Sequence, residues 1–360
     1  MLITLRNFIV NILAACIRDR DARHNFRNKY KRRTKFRKLR DDNRRLFHEN
    51  RIILNELNAL KAQLQADTSI IFRVEPIDNS PPQGPDSEVY LCIACVAKNE
   101  GPYLREWIEY HKLVGVERFY FYDNESDDNT KEVLSPYIKD GSVVYHFLPN
   151  HPITNTVPQM EAYGDAVFKY RSRVRWMALI DIDEFIVPVE KDSIAEFLTD
   201  YEQFPAVAIN WLPFDSNGHE KKPKEHGGLV TANYTRVRKN QEGPQERMVK
   251  SIVNPKFVVN ITSPHYAVYY KNRTAVTENF EVAKGGATAF HSTKKIRVNH
   301  YRTKSREEYI DRVTKNQKGN SIGIGYKLEE ENLNFKGDTT EDFVIQRFVP
   351  QLKRILKIQD

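Results

Sequence analysis

Trp176-Met177-Ala178-Leu179-Ile180-Asp181-Ile182-Asp183-Glu184-Phe185 decides how this chain folds. Residues 176–182 are apolar except for Asp181, the pattern of a strand covered on both faces. Carboxylates then crowd its exit. Side chains alternate along an extended chain, so Asp181 and Asp183 are expected on one face. Two carboxylates so placed can hold a hard divalent cation, and such a cation would bridge two phosphates and neutralise a leaving diphosphate. An Asp-x-Asp string can also be a pair of helix caps or surface acids. The buried strand in front of this one favours the metal reading.

Upstream, Val89–Ala97 is a second continuous apolar run, ended by Lys98-Asn99-Glu100-Gly101. Pro102 suits the first turn of a following helix, whose buried face is Leu104, Trp107, Ile108 and Val114. Residues 118–122 read as another strand. The acidic loop Asp123-Asn124-Glu125-Ser126-Asp127-Asp128 follows, with Asp127 or Asp128 able to cap the next helix. Further strands are expected at Val143–Phe147 and 206–211, with a helix over 161–173 between the third and fourth strands. This alternation predicts an α/β fold with a mostly parallel sheet, helices on both faces, and ligands at the carboxyl ends of the strands. The polar groups gather at those ends: Lys98, Asn99 and Glu100 after the first strand, Asp123 and Asn124 after the second, Asp181, Asp183 and Glu184 at the fourth. Beyond about residue 228 the pattern loosens into short strands and turns, with helices expected near 305–315 and 343–358.

Composition bounds the rest. The chain has 360 residues, 29% of them charged and 11% aromatic, which excludes collagen-like and wholly disordered classes. Three cysteines, Cys16, Cys92 and Cys95, cannot build a disulfide scaffold. Cys92 and Cys95 spell C-x-x-C, but their odd separation points them to opposite faces of a strand, as buried core residues rather than metal ligands. No apolar run approaches the roughly 20 residues of a spanning helix. No Walker loop and no G-x-G-x-x-G is present. Residues 1–66 hold 17 Lys/Arg and 6 Asp/Glu; against a net charge of +8 for the chain, that arm carries +11 and the remainder −3. Nucleic acid is therefore not an expected partner of the body.

The arm has parts of its own. Residues 2–17 read as an apolar helix with a narrow polar stripe, followed by a polybasic run over 18–45. This order suits an anionic membrane surface; a short helix packed on the body or a partner is the alternative. A lipoprotein-type box, Leu13-Ala14-Ala15-Cys16, is a further alternative, opposed by the basic flank after it. Leu39, Leu46, Ile53 and Leu60 repeat every seven residues beside Phe36, Asn43, Asn50, Leu57 and Leu64, the pattern of a two-stranded coiled coil that would make a homodimer, with a single amphipathic helix lying on its own body as the alternative. The expected organisation is a basic helical arm over 1–66, a Pro-rich linker over 67–88, a catalytic body over 89–320 and a helical extension over 321–360.

Several motifs, in order, resemble nucleotide-sugar glycosyltransferases of the GT-A type, above all glycosyltransferase family 92 and bacterial family-2-like enzymes near it. They are Lys98-Asn99-Glu100; Leu104-Arg105-Glu106-Trp107-Ile108-Glu109-Tyr110-His111; Tyr122-Asp123-Asn124-Glu125-Ser126-Asp127-Asp128; Gln159 with Ala162-Tyr163-Gly164-Asp165; Trp176 with Asp181-Ile182-Asp183-Glu184-Phe185; Val249-Lys250-Ser251-Ile252; His265; and Val298-Asn299-His300-Tyr301 with Lys304-Ser305. The resemblance covers about residues 89–320 and implies a GT-A, Rossmann-like fold. It implies that Asp123 holds the nucleotide base, with Lys98, Asn99, Glu100 and Asn124 lining that end. It implies that Asp181 and Asp183 bind a metal, Mn²⁺ or Mg²⁺, with His300 completing the shell and Lys304 meeting the diphosphate. Lys250 is read either as a phosphate ligand or as a solvated surface lysine.

The implied reaction moves a sugar from a nucleotide-diphosphate donor, expected to be a UDP-sugar, to a glycan or lipid-linked acceptor hydroxyl, with inversion. That chemistry asks for a carboxylate base on the acceptor side. Asp215, after the fifth strand, is the first choice, with Glu225 and Glu246 as alternatives. A sugar-phosphate nucleotidyltransferase shares the sheet and the metal pair but would carry a Gly-rich basic loop after its first strand, which Lys98-Asn99-Glu100-Gly101 is not. A coiled-coil adaptor with a degenerate body is the non-enzymatic alternative. The arm implies a cytoplasmic enzyme peripheral to a membrane.

Overall fold

In the computed structural model the described residues are 88–149, 158–318 and 333–358. The arm with its candidate anchor helix and heptad, and the linker up to residue 87, lie outside them.

The sheet starts as the apolar runs foretell. Strand β1 (Val89–Ala97) lies between β2 (Arg118–Asp123) and β4 (Val174–Leu179), parallel to both, and β3 (Val143–Phe147) extends it beyond β2. Helix α1 (Gly101–Leu113), with a proline in its first turn, follows β1; α2 (Thr130–Lys139) follows β2; α3 (Pro158–Tyr170) precedes β4. Side chains from β1 divide between two cores. Leu91, Ile93, Cys95 and Ala97 join the one under α1, while Cys92 and Ala94 join the one under α3. The two free, buried cysteines thus face opposite ways, as their spacing requires.

The chain after β4 departs from the sequence expectation. The fourth strand stops at Leu179 rather than running to residue 182, and Ile182–Asp183 form a turn closed by a hydrogen bond from Glu184 N to Asp181 O at 3.2 Å. A further strand, β5 (Glu184–Pro188), then leaves in a new direction, followed by the short helix α4 (Ile194–Leu198). Strand β6 (Ala206–Pro213) is two residues longer than expected. Beyond it come helical turn α5 (Val230–Asn233) and strands β7 (Arg236–Arg238), β8 (Val249–Val253), β9 (Val258–Ile261), β10 (Ala267–Tyr269), β11 (Ala275–Val276), β12 (Val282–Ala283) and β13 (Ile296–His300). Helix α6 (Arg306–Lys318), strand β14 (Thr339–Glu341) and helix α7 (Val349–Leu356) close the described chain. The expected helix over 343–358 is a 3-10 turn, Val344–Phe348, running into α7.

The sheet order is β12-β11-β6-β8-β4-β1-β2-β3. It is mostly parallel, but β8 is inserted antiparallel between β4 and β6. Strand β13 pairs parallel with β6 and antiparallel with β5, which carries His300 alongside Glu184. This is the helix-covered, mostly parallel α/β sheet that the GT-A resemblance implies. Among the described residues no helix is long and apolar enough to cross a membrane.

Helix α1 fixes β5 by three side chains. Trp107 Nε1–H donates to Glu184 O at 2.8 Å and Tyr110 OH to Ile186 O at 3.0 Å. Ile186 N–H donates to His111 Nε2 at 3.2 Å, so that nitrogen is unprotonated and Nδ1–H donates to Trp107 O at 2.8 Å. Burial pushes the His111 imidazole down to about 3, which keeps this tautomer neutral.

Candidate active site

Three chain crossings build the site. The first two are the loops after β1 and β2, which are laced together. Asn99 N donates to Ser126 Oγ at 2.9 Å, Asp127 N to Asn99 Oδ1 at 2.8 Å, and Gly101 N to Asp128 Oδ2 at 2.9 Å. Asn99 adopts a left-handed φ of 59° to make this junction. A Cβ on Gly101 would lie 2.2 Å from Asn129 Oδ1, so a larger residue would have to displace the Asn129 side chain where the two loops meet. Asp123, buried at the end of β2, accepts from Ser126 N at 2.9 Å and from Tyr145 OH at 2.7 Å. Asn124 Nδ2 donates to Leu148 O at 3.0 Å. Lys98 is exposed beside them.

The third crossing is the turn after β4. Because the strand has ended, Asp181 and Asp183 do not follow strand alternation, and their carboxylates take different partners. Asp181 accepts from Gln159 Nε2 at 2.7 Å, Tyr163 OH at 3.0 Å and Lys250 Nζ at 2.9 Å. Asp183 is ion-paired with Arg312 of α6, and its Oδ2 lies 3.6 Å from His300 Nε2. Burial opposes ionisation of both acids, but Lys250 at Asp181, and Arg312 with His300 at Asp183, hold them below the usual carboxylate range.

Lys250 is no surface residue. It is buried in β8, 2.9 Å from Asp181 and 3.3 Å from Glu184. Burial works against its charge, yet Asp181 and Glu184 raise its pKa above that of a free lysine. Glu184, fully buried, is pushed up to about 8 by desolvation in spite of Lys250. Its Oε2 also accepts from Asp181 N at 2.9 Å, which ties the turn to the start of β5.

His300 closes the site from β13. Burial lowers its pKa, so its imidazole is neutral at physiological pH and able to ligate a cation. Trp211 of β6 packs against it with ring centroids 4.3 Å apart and against His265 at 5.3 Å. Among the described residues the buried Trp211 indole N–H has no hydrogen-bond partner, nor has the enclosed Oε2 of Glu100. Lys304, just after β13, bears on the charges of both Glu100 and Asp183.

The three candidate bases take other partners. Asp215 is buried; Arg236 Nε reaches both of its oxygens, at 2.9 and 2.8 Å, and Asn217 N and Phe335 N donate to it as well. Glu246 is buried and paired with Arg238 at 2.8 Å. Glu225 is exposed in the loop before α5. Glu106 was not singled out by sequence. It lies buried on α1 and accepts from Val230 N at 2.8 Å and Thr231 N at 2.9 Å, capping α5. Its place in a helix pattern gave no sign of a partner 124 residues away.

Among the described residues no group of three or more His, Cys, Asp or Glu side chains is gathered to enclose a metal. Asp183 and His300 nonetheless suit a hard or borderline cation, an ionised carboxylate beside a neutral imidazole. Mn²⁺ or Mg²⁺ is commonly held by one or two protein ligands, the remainder coming from substrate phosphates and water.

Residues 87–335 match the sequence profile of glycosyltransferase family 92. The chain belongs to that family. Among related sequences, a glycosyltransferase family 92 protein of Oryza sativa subsp. japonica is 30% identical over 148 residues, covering 40% of this family-92 chain and 24% of the relative. The galactan beta-1,4-galactosyltransferase GALS2 of Arabidopsis thaliana is 30% identical over 118 residues, covering 31% of this chain and 23% of the relative. The chain thus spans about a quarter of the length of these relatives. Among solved structures, S. aureus TarS 1-349 in complex with UDP aligns over 47% of this chain and 47% of its own, at 14% identity and a TM-score of 0.30.

Proposed function

We propose that this family-92 chain is an inverting glycosyltransferase that moves a sugar from a nucleotide-diphosphate donor to a saccharide hydroxyl. The observation that carries the reading is the meeting of three sets of polar groups at the carboxyl ends of β1, β2 and β4, with His300 beside Asp183. Ligands bind there in open α/β sheets. A UDP-sugar is the proposed donor, and UDP-galactose is the first to test, since two related sequences are named as galactan galactosyltransferases.

In this reading Asp123, with Lys98, Asn99 and Asn124, takes the nucleoside end. Asp183 and His300 would hold a Mn²⁺ or Mg²⁺ ion, which when bound supplies positive charge to the departing diphosphate. Arg312 stands at Asp183 and balances the same carboxylate. Lys250 does not serve as a phosphate ligand, because its ammonium is shared between Asp181 and Glu184. Its part is to keep Asp181 ionised and the turn in place.

The acceptor proton needs a carboxylate. Asp215 and Glu246 are each buried and paired with a half-buried arginine, so the role is assigned to Glu225, whose carboxylate is exposed. The test is a panel of nucleotide sugars incubated with the full chain, with and without Mn²⁺, scored for release of nucleoside diphosphate. Release from one UDP-sugar well above the others is the expected result. No release from any donor, with the protein folded, would overturn the reading.

A further inference from the structure

Lys304 is a buried cation with no counter-ion in direct contact. The residue is 6% exposed and its backbone sits at a left-handed φ of 53°, a conformation that lysine adopts under strain. Among the described residues its ammonium has neither a hydrogen bond nor an ion pair; it lies 4.0 Å from the centroid of the Tyr103 ring. Lys222, exposed in the loop between β6 and α5, places its ammonium 4.6 Å from the same centroid. The two positive charges are therefore within roughly 9 Å of one another, about one Debye length at physiological salt.

The carboxylate that could have neutralised them is turned elsewhere. Glu308 accepts from Tyr103 OH at 2.5 Å, from Tyr234 OH at 2.9 Å and from Ser305 N at 3.0 Å. An anionic ligand would give this ammonium the direct hydrogen-bonded partner it lacks.

We propose that Lys304 and Lys222, set against the Tyr103 ring, form an oxyanion subsite, and that the acceptor saccharide carries a carboxylate or phosphate group that this subsite reads. The assignment rests on the glycosyltransferase reading above. The two lysines come from the β6 and β13 side of the sheet, and the Tyr103 ring they share stands on α1 after β1, so the subsite lies where the acceptor side meets the donor side. Asp123 and Lys98 end β2 and β1, whereas Lys222 and Lys304 follow β6 and β13, which pair with each other on the far side of β4 and β8. Lys304 also bears on Glu100 and Asp183, so an anion held there lies beside the sugar being moved. An exposed lysine beside a buried one would guide such a group inward.

The test measures binding to the full-length protein by calorimetry, with three saccharide probes and UDP. The probes are neutral galactotriose, trigalacturonate and galactose 6-phosphate. Wild type is expected to bind at least one charged probe about tenfold more tightly than galactotriose, the scale of one charge-assisted hydrogen bond. In Lys222→Met that advantage should fall by about the same factor, and in Lys222→Glu it should vanish. Lys222 is exposed, so neither variant threatens the fold, and melting curves check this. Equal affinity for neutral and charged probes, or an advantage that survives Lys222→Glu, would overturn the subsite. If Lys222→Met weakens UDP as much as the charged saccharide, the two lysines serve the donor diphosphate and the acceptor assignment falls. Failure to hydrolyse any nucleotide sugar would sink the glycosyltransferase reading instead, and would leave the comparison of charged and neutral probes standing on its own.

Discussion

Lys250 Nζ lies 2.9 Å from Asp181 Oδ2, inside the protein and at the exit of the strand whose carboxylates first drew attention. A fixed cation thus holds one acid of the Asp-x-Asp pair, while the other faces Arg312 and His300. The two acids thus take different partners: Asp181 accepts from Gln159, Tyr163 and Lys250, and Asp183 pairs with Arg312.

The first prediction follows from that pairing. Lys250→Met should destabilise the fold by about 3 kcal/mol, because it leaves Asp181 and Glu184 buried without their cation. Adding Asp181→Asn should recover part of the loss. Denaturant unfolding of the two variants and wild type measures both effects; a single variant as stable as wild type would refute the structural role of the pair.

Asp183→Asn removes charge while keeping volume. Turnover of the nucleotide sugar should drop by about a hundredfold or more at temperatures where the variant is folded, and its melting temperature should fall as well, because Arg312 loses its ionic partner. Wild-type turnover unchanged by EDTA would show that Asp183 and His300 need no cation.

For the base, Glu225→Gln should lower transfer to acceptor by about 10²–10⁴ while leaving UDP affinity intact. Asp215→Asn should instead lower stability, since it breaks the pair that Arg236 makes with this buried carboxylate. Full transfer by the Glu225 variant, with transfer lost in a stable Asp215 variant, would return the role to Asp215.

His111 gives a pH-dependent term. Its folded pKa is depressed to about 3 by burial, below the ordinary 6.5. The unfolded chain therefore binds a proton as pH falls below 6.5 while the folded chain does not. The stability His111 contributes is complete above that pH and is lost as pH falls toward 3, by about 1.4 kcal/mol per unit. Comparing wild type with His111→Gln isolates this term from other titrations. A stability difference that stays constant from about pH 7.5 to about pH 4.5 would contradict it.

The arm is tested by deletion of residues 1–66. The shortened chain should still hydrolyse donor but should no longer pellet with anionic liposomes at low salt, since the polybasic run is removed. Equal pelleting of the two forms would rule out a membrane anchor in the arm.

Much of the scaffold was legible in the sequence because it depends on local pattern. A run such as Val89–Ala97 has to be a strand buried on both faces, and polar groups placed after such runs have to gather at one edge of a parallel sheet. The positions of Lys98–Glu100, Asp123, Asp181 and Asp183 at or just after the ends of those strands could be read on those grounds. Three things waited on tertiary structure. Strand alternation placed Asp181 and Asp183 on one face, but the strand ends at Leu179 and a turn sends their carboxylates to different partners. Lys250, a polar residue on a short strand, could have faced solvent; only the antiparallel insertion of β8 beside β4 buries it against Asp181. Asp215 had the right residue type and the right strand end, yet Arg236, 21 residues on, folds back to claim it. Periodicity reports which face a side chain takes over a few residues. It carries nothing about which distant charge will stand opposite, and at this site the distant charges decide what each carboxylate can do.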